Sequence, residues 1–201
     1  RWQKISLFAG IGVLGSIAFA TSLLLLGFLY YSYGTELPSV ESLKHYNPSQ
    51  SVRICDRDGN TVAYLGKKKR TLVPIERIPD VLVNAVLSAE DASFFSHKGL
   101  NYLGMVRAFW VNLVAGRFKQ GGSTITQQVV KILLLSPERT LRRKFQEVIL
   151  ARRLETTLTK REILNIYLNE IYLGHGRYGV EEASLFYFGK HVWALSVAEA
   201  A

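Results

Sequence analysis

The chain has a single cysteine among its 201 residues. Cys55 cannot close an intrachain disulfide, and it lies far from any histidine that could share a metal with it. It reads as an ordinary strand residue. Acidic residues are few, 16 Asp and Glu against 25 Lys and Arg, which gives a net charge of +9. Nucleic acid, anionic lipid and a phosphorylated substrate all fit that balance, as does a solvated surface rich in lysine. Charge is missing altogether from Ile5 to Thr35, a run well beyond the roughly 20 residues that a spanning helix needs.

Arg1 and Lys4 precede that run and Glu36 follows it. A cleaved signal peptide is the competing reading, but the run is too long and no small-residue cleavage site stands out. Tyr30, Tyr31 and Tyr33 fit an aromatic belt, and the flanking cations predict a cytoplasmic N-terminus with the remainder outside. The chain opens on Arg1 and stops at Ala201 within an apolar, helix-like run, so both ends read as cuts. The expected organisation is a cytoplasmic stub and transmembrane helix over 1–35, a juxtamembrane linker and β-hairpin over 36–78, and a C-terminally truncated main domain over 79–201.

Within the linker, Val52–Cys55 and Thr61–Leu65 flank Asp56-Arg57-Asp58-Gly59-Asn60 and predict a hairpin. The Asp56, Asp58, Asn60 spacing does not make a calcium loop. Its glycine stands at the fifth position instead of the sixth, and Lys67 replaces the bidentate glutamate. Lys67-Lys68-Lys69-Arg70 reads as a solvated basic turn able to touch lipid headgroups. From Pro79 the pattern is helical, with capping boxes at Thr159-Lys160-Arg161-Glu162 and Ser196-Val197-Ala198-Glu199 and helix stops at Gly174 and Gly189.

Three segments carry chemistry. Gly121-Gly122 form a flexible turn, Ser123 or Thr124 then caps a helix, and Thr124 with Gln127 makes a capping box. Thr124, Gln127, Gln128 and Lys131 share one helical face, a narrow polar stripe on an otherwise apolar helix. That stripe either lines a cleft, where free N–H groups and Lys131 would meet an anion, or faces solvent. In the helix from Leu141 to Leu158, Glu147 falls within the apolar arc, between Leu154 and Leu158 on the wheel. Arg143 and Lys144 flank it at i−4 and i−3. Such an acid holds a specific charge state for catalysis or forms a common surface ion pair. Glu90 closes a helix beside Asp91, and only one of two adjacent carboxylates points into a cleft. Apolar neighbours would raise the Glu90 pKa and suit it to proton transfer. There is no Ser-x-x-Lys, no Ser/His/Asp set, no metal-ligand set and no Walker loop.

Five motifs, in order, resemble those of the peptidoglycan glycosyltransferase domain of class A penicillin-binding proteins. They are Glu90-Asp91-x-x-Phe94-x-x-His97-x-Gly99, Gly121-Gly122-Ser123-Thr124-Ile125-Thr126-Gln127-Gln128, Arg143-Lys144-x-x-Glu147, Ile163-Leu164-x-x-Tyr167-Leu168-Asn169, and Gly179-Val180-x-x-Ala183-x-x-x-Tyr187-Phe188-Gly189-Lys190. The resemblance runs from about Arg53 to Ala201. It implies a mainly α, lysozyme-like domain behind a transmembrane helix and a small hairpin, and the hairpin favours the bifunctional class. The implied activity is polymerisation of lipid II into glycan strands, with inversion and release of undecaprenyl pyrophosphate. In those terms Glu90 is the base for the acceptor 4-hydroxyl and Glu147 assists at the donor. Asp91, Phe94, His97, Ser123, Thr124, Gln127, Gln128 and Lys131 shape the cleft, and Arg143 and Lys144 sit near the pyrophosphate. A divalent ion accompanying that pyrophosphate is a further implication, without a protein ligand set. The implied partners are lipid II, the growing strand, the membrane and other cell-wall synthesis proteins, not nucleic acid. The implied place is the bacterial cytoplasmic membrane, single-pass, with the catalytic domain outside. Ile132 departs from the family, where an Asn is common. The alternatives are a lysozyme-like hydrolase, which has no need of a phosphate site, and an inactive membrane-anchored binding module.

Overall fold

A computed structural model describes residues 2–34, 37–48, 52–59, 61–65, 69–117 and 119–201. Two units divide at Pro38 and Ser39. The first carries helix α1, Trp2–Gly34. Its Gly15–Gly34 stretch is, among the described residues, the one helix long and apolar enough to cross a membrane. Within it Thr21 donates to the Ile17 carbonyl at 3.0 Å and Ser22 to the Ala18 carbonyl at 2.7 Å, so both hydroxyls are satisfied by the helix itself.

In the second unit, strands β1 (Val52–Cys55) and β2 (Thr61–Leu65) pair antiparallel, with Val52 opposite Leu65 and an irregularity at Ile54/Cys55. The hairpin is present as expected, and exposed Cys55 ends its first strand. At the turn Asp56 accepts the Asp58 amide at 3.0 Å, so its side chain closes the backbone turn. Lys67 and Lys68, together with Asn60, Thr35 and Glu36, lie outside the described residues.

Arg70 corrects the reading of the basic run as a solvated turn. Lys69–Arg70 form strand β3, parallel to β4 (Arg177–Tyr178). The Arg70 side chain is buried and donates to Glu170 at 2.6 Å, while the Tyr46 hydroxyl donates to the other Glu170 oxygen. A buried guanidinium needs such a partner, and the carboxylate at the end of helix α6 supplies it.

The remaining elements are helical: α2 (Asp80–Glu90), α3 (Tyr102–Ala115), α4 (Ile125–Leu133), α5 (Leu141–Thr157), α6 (Lys160–Glu170), α7 (Val180–Phe188) and α8 (Val197–Ala200). The fold is mainly α, as expected. Capping boxes open α4 at Thr124, α6 at Thr159 and α8 at Ser196. Gly189 ends α7 in the left-handed conformation. Gly174 does not end α6, which stops at Glu170 with Ile171 as its cap; the glycine turns the following loop at φ 93°. The core lies where α4 packs on α5 and α6. Ile125, Val129, Leu150, Ala151, Leu154, Ile163, Tyr167 and Leu168 are all fully buried there, each large aliphatic side chain contributing about 1.5–3 kcal/mol. That core fixes α4 and α5, which carry Gln128, Lys131 and Glu147.

Candidate active site

A cavity of about 990 Å³ opens between the end of α2, the wall of α3 and the start of α4. Glu90 stands on its rim at the last position of α2, exposed, and accepts a hydrogen bond from Gln128 Nε2 at 2.8 Å. The apolar enclosure expected around Glu90 is not formed, because the cavity wall beside it is built of Ser, Asn, Gln and cationic side chains. Beneath it, Tyr167 is fully buried, and its hydroxyl has no partner among the described residues. Burial first, and then the Glu90 carboxylate, push that phenol well above its ordinary range.

Asp91 points the other way. It is buried, its two oxygens lie 2.9 and 3.1 Å from His97 Nε2, and it accepts the Ile125 amide at 3.1 Å. It therefore ties the loop after α2 to the first free N–H of α4, where a carboxylate is favoured by the helix dipole. Thr124 adds a second tie: its hydroxyl donates to the Gly99 carbonyl at 2.7 Å while accepting the Gln127 amide. Gln127 is turned inward by its capping box and is buried, so the polar stripe of α4 divides. Gln128 and Lys131 face the cavity with Ser123 and Thr124; Gln127 does not.

Glu147 is buried on α5, 2% exposed, which separates it from an ordinary surface ion pair. Arg143 donates to one oxygen and Lys144 to the other, the latter at 2.8 Å. Lys144 also donates to Ser123 at 2.7 Å, and Ser123 lines the cavity. The second glutamate thus reaches the cavity wall through one lysine and one serine. Burial, then Arg143 and Lys131, push the Lys144 amine below the usual lysine range, despite the adjoining carboxylate.

Phe94 and His97 lie behind the cavity wall. Phe94 is buried, with Lys160 Nζ 4.2 Å from its ring centre. Lys160 in turn donates to Glu155 at 2.7 Å, and Glu155 accepts the Thr126 hydroxyl at 2.6 Å. The sequence reading passed over Glu155. The signal was available, since it falls in the same apolar arc of α5 as Glu147. Asn169 was read only as part of a motif. It clasps Val73 from both sides, accepting its amide and donating to its carbonyl, each at 2.9 Å. Among the described residues no three His, Cys, Asp or Glu cluster to hold a metal ion.

Glu90 thus stands on the rim of a cation-lined cavity, and buried Glu147, held by Arg143 and Lys144, reaches the wall of the same cavity through Lys144 and Ser123. The transglycosylase family profile matches residues 58–201, and the chain belongs to that family. It is 47% identical over 191 residues to penicillin-binding protein 1A of Aquifex aeolicus (strain VF5), covering 95% of this chain and 26% of that relative. It is 42% identical over 189 residues to the protein of the same name from Neisseria lactamica, covering 94% and 23%. With the Neisseria gonorrhoeae protein the identity is 45% over 166 residues, covering 83% and 21%. The chain spans about a quarter of the length of these relatives.

Proposed function

We propose that the chain is a peptidoglycan glycosyltransferase that polymerises lipid II. The observation that carries this reading is Glu90, held by Gln128 on the wall of a cavity whose far edge leads through Ser123 and Lys144 to buried Glu147. The Glu90 carboxylate takes the proton of the acceptor 4-hydroxyl. That oxygen bonds to the donor anomeric carbon from the face opposite the leaving group. The bond from that carbon to the phosphate oxygen breaks, and its electron pair leaves with undecaprenyl pyrophosphate, so the configuration inverts. Gln128 engages one Glu90 oxygen, fixes the carboxyl rotamer and leaves the other oxygen to the acceptor.

Lys131, Lys144 and Arg143 meet the charge that develops on the departing pyrophosphate. Glu147 holds Arg143 and Lys144 in position and assists the donor through them. A hydrolase acting on finished glycan would develop no such charge, so these cations favour the polymerase. A divalent ion would come with the pyrophosphate of the substrate. The protein's buried carboxylates do not fit it, because Asp91 and Glu147 have both oxygens engaged, and no step is routed through it.

Helix α1 would anchor the chain in the bacterial cytoplasmic membrane with Arg1 and Lys4 inside, placing the cavity outside, where lipid II and other cell-wall synthesis proteins are met. The test is incubation of the chain with labelled lipid II. Wild type should yield glycan polymer, and Glu90→Gln, which keeps shape without basicity, should lose at least about 10²-fold in rate. Near wild-type polymerisation by that variant would remove Glu90 from the role of base.

A further inference from the structure

Glu155 is a carboxylate that the reaction above leaves unused. It lies near the end of α5, about two turns beyond Glu147, with its side chain only 8% exposed. One of its oxygens accepts the Thr126 hydroxyl at 2.6 Å and the Lys160 ammonium at 2.7 Å. Thr126 is itself fully buried on α4. An exposed ion pair is easily dispensed with. A carboxylate shut away between helices and shared by a hydroxyl and an ammonium holds its neighbours in place.

One arm of this contact runs to Glu90 through α4. Thr126 stands two residues before Gln128, about 200° away around the helix. Glu155 therefore grips α4 from behind, while Gln128 reaches forward to the Glu90 carboxylate at 2.8 Å. The start of α4 has a second tie, because Thr124 donates to the Gly99 carbonyl at 2.7 Å. Gly99 lies so close to Glu155 that an added Cβ would sit 3.1 Å from the Glu155 Cγ. Thr124, Gly99, Glu155 and Thr126 thus close a ring around the first turn of α4. Any roll of the helix that carried Gln128 off Glu90 would break a buried hydrogen bond of that ring.

The other arm runs to the segment after Glu90. Lys160, held by Glu155, places its Nζ 4.2 Å from the centre of the buried Phe94 ring, within the range of a cation–π attraction. The Phe94 amide donates to the Asp91 carbonyl at 2.9 Å and closes the turn directly beyond Glu90. The two arms end on the two partners of one hydrogen bond, Gln128 on α4 and Glu90 at the end of α2.

We infer that Glu155 is a positioning residue for the polymerisation, fixing Gln128 against Glu90 and so setting the direction in which the base presents its free oxygen. The inference rests on the polymerase reading. Glu155 does not line the cavity, so its influence on the reaction passes through the side chains it holds. Loosening it should spoil the aim of the base without weakening the grip on substrate, which is a loss in kcat and not in KM.

The test uses the full chain with labelled lipid II. Glu155→Ala and Thr126→Val, the latter removing one hydroxyl from a side chain of nearly the same shape, should each lower kcat about 10-fold or more, the scale on which a displaced reacting group is felt. KM should stay within about twofold. Glu155→Gln, whose amide oxygen still accepts from both partners, should recover most of the rate. In a Gln128→Ala background Thr126→Val should add almost nothing, because the contact it steadies is already gone. The Gln128 side-chain amide, followed by NMR without substrate, should move in Thr126→Val toward its position in Glu90→Ala. A kcat near wild type in both variants, at equal folded fraction, overturns the assignment. So does a loss as large without Gln128 as with it, which would make Glu155 a residue of stability alone. Absence of polymer from the wild type sinks the polymerase reading itself; the Gln128 amide then still decides the positioning, and an unmoved resonance overturns it.

Discussion

Asp91 and Ile125 are 34 residues apart in sequence, yet the Asp91 carboxylate caps the Ile125 amide at 3.1 Å and so joins the first motif to the start of the second. His97 holds the same carboxylate from the other side at 2.9 Å. The arrangement makes Asp91 a buried clamp beside Glu90, whose exposed carboxylate stands on the cavity rim. Removing the clamp strands both donors. Asp91→Ala should lower stability by about 2–4 kcal/mol, the range for losing two hydrogen bonds to a buried charge. Denaturant midpoints of Asp91→Ala, His97→Ala and the double variant should give a coupling of about 1–3 kcal/mol. Strict additivity would show that the two side chains do not act together.

Much of this site could be read in the sequence because its logic is local. The Thr124 capping box, the ending of α2 at Glu90 and the apolar arc around Glu147 all follow from helical periodicity within one element. What escaped is what two elements decide together. Nothing near Arg70 announces that Glu170, a hundred positions on, buries it. Nothing in α3 reveals that Asn112 fastens the segment bearing Lys119. Gln127 and Gln128 are adjacent, and the stripe on the wheel holds both; only the docking of α4 onto α5 and α6 decides that one is buried and the other meets Glu90.

Two glycines with nearly the same backbone separate strain from crowding. Gly59 has φ 86° with nothing near its missing Cβ, while Gly99 has φ 84° and a Cβ there would lie 2.8 Å from the Ala151 carbonyl oxygen. Gly59→Ala should carry only the left-handed penalty, about 1–2 kcal/mol. Gly99→Ala adds a collision with core backbone that cannot step aside, and should lose about 3 kcal/mol or more. Because the Gly99 carbonyl also receives Thr124, polymer formation should fall for that variant and remain for Gly59→Ala. Equal melting temperatures for the two variants would contradict the close approach at Ala151.

Tyr167 offers a change of opposite sign. Its hydroxyl is buried near the Glu90 carboxylate, without a partner among the described residues. A buried hydroxyl left unsatisfied costs about 1–3 kcal/mol, and phenylalanine removes it while keeping the ring that fills the core. Tyr167→Phe should therefore be neutral or more stable, by up to about 1 kcal/mol, whereas Tyr167→Ala should lose about 3–5 kcal/mol to the cavity it opens. A Tyr167→Phe protein that melts clearly lower would mean that the hydroxyl is held by something in solution.

On the proposed mechanism Lys144 should set the alkaline limit of the reaction. It would serve the departing pyrophosphate only while protonated, and burial with Arg143 and Lys131 holds its pKa below the ordinary 10.5. The sign follows directly. As pH rises, Lys144 loses its proton before a free lysine would, so activity should fall on the alkaline side at a pH below 10.5. Arginine keeps its charge throughout that range. Lys144→Arg should move the alkaline limb upward even if its maximal rate is lower, and Lys144→Ala should depress kcat at every pH. Exposed Arg152, on the same helix, provides the control, and Arg152→Ala should leave the profile unchanged. Stability runs by the same linkage: the unfolded chain binds more protons than the folded one between the lowered pKa and 10.5, so folding gains with pH across that window. The Lys144→Ala protein lacks this gain, and the difference is read from melting temperatures of the two proteins at rising pH. If the alkaline limb of Lys144→Arg coincides with that of the wild type, the titrating group is another one, and Lys144 acts only as a partner of Glu147.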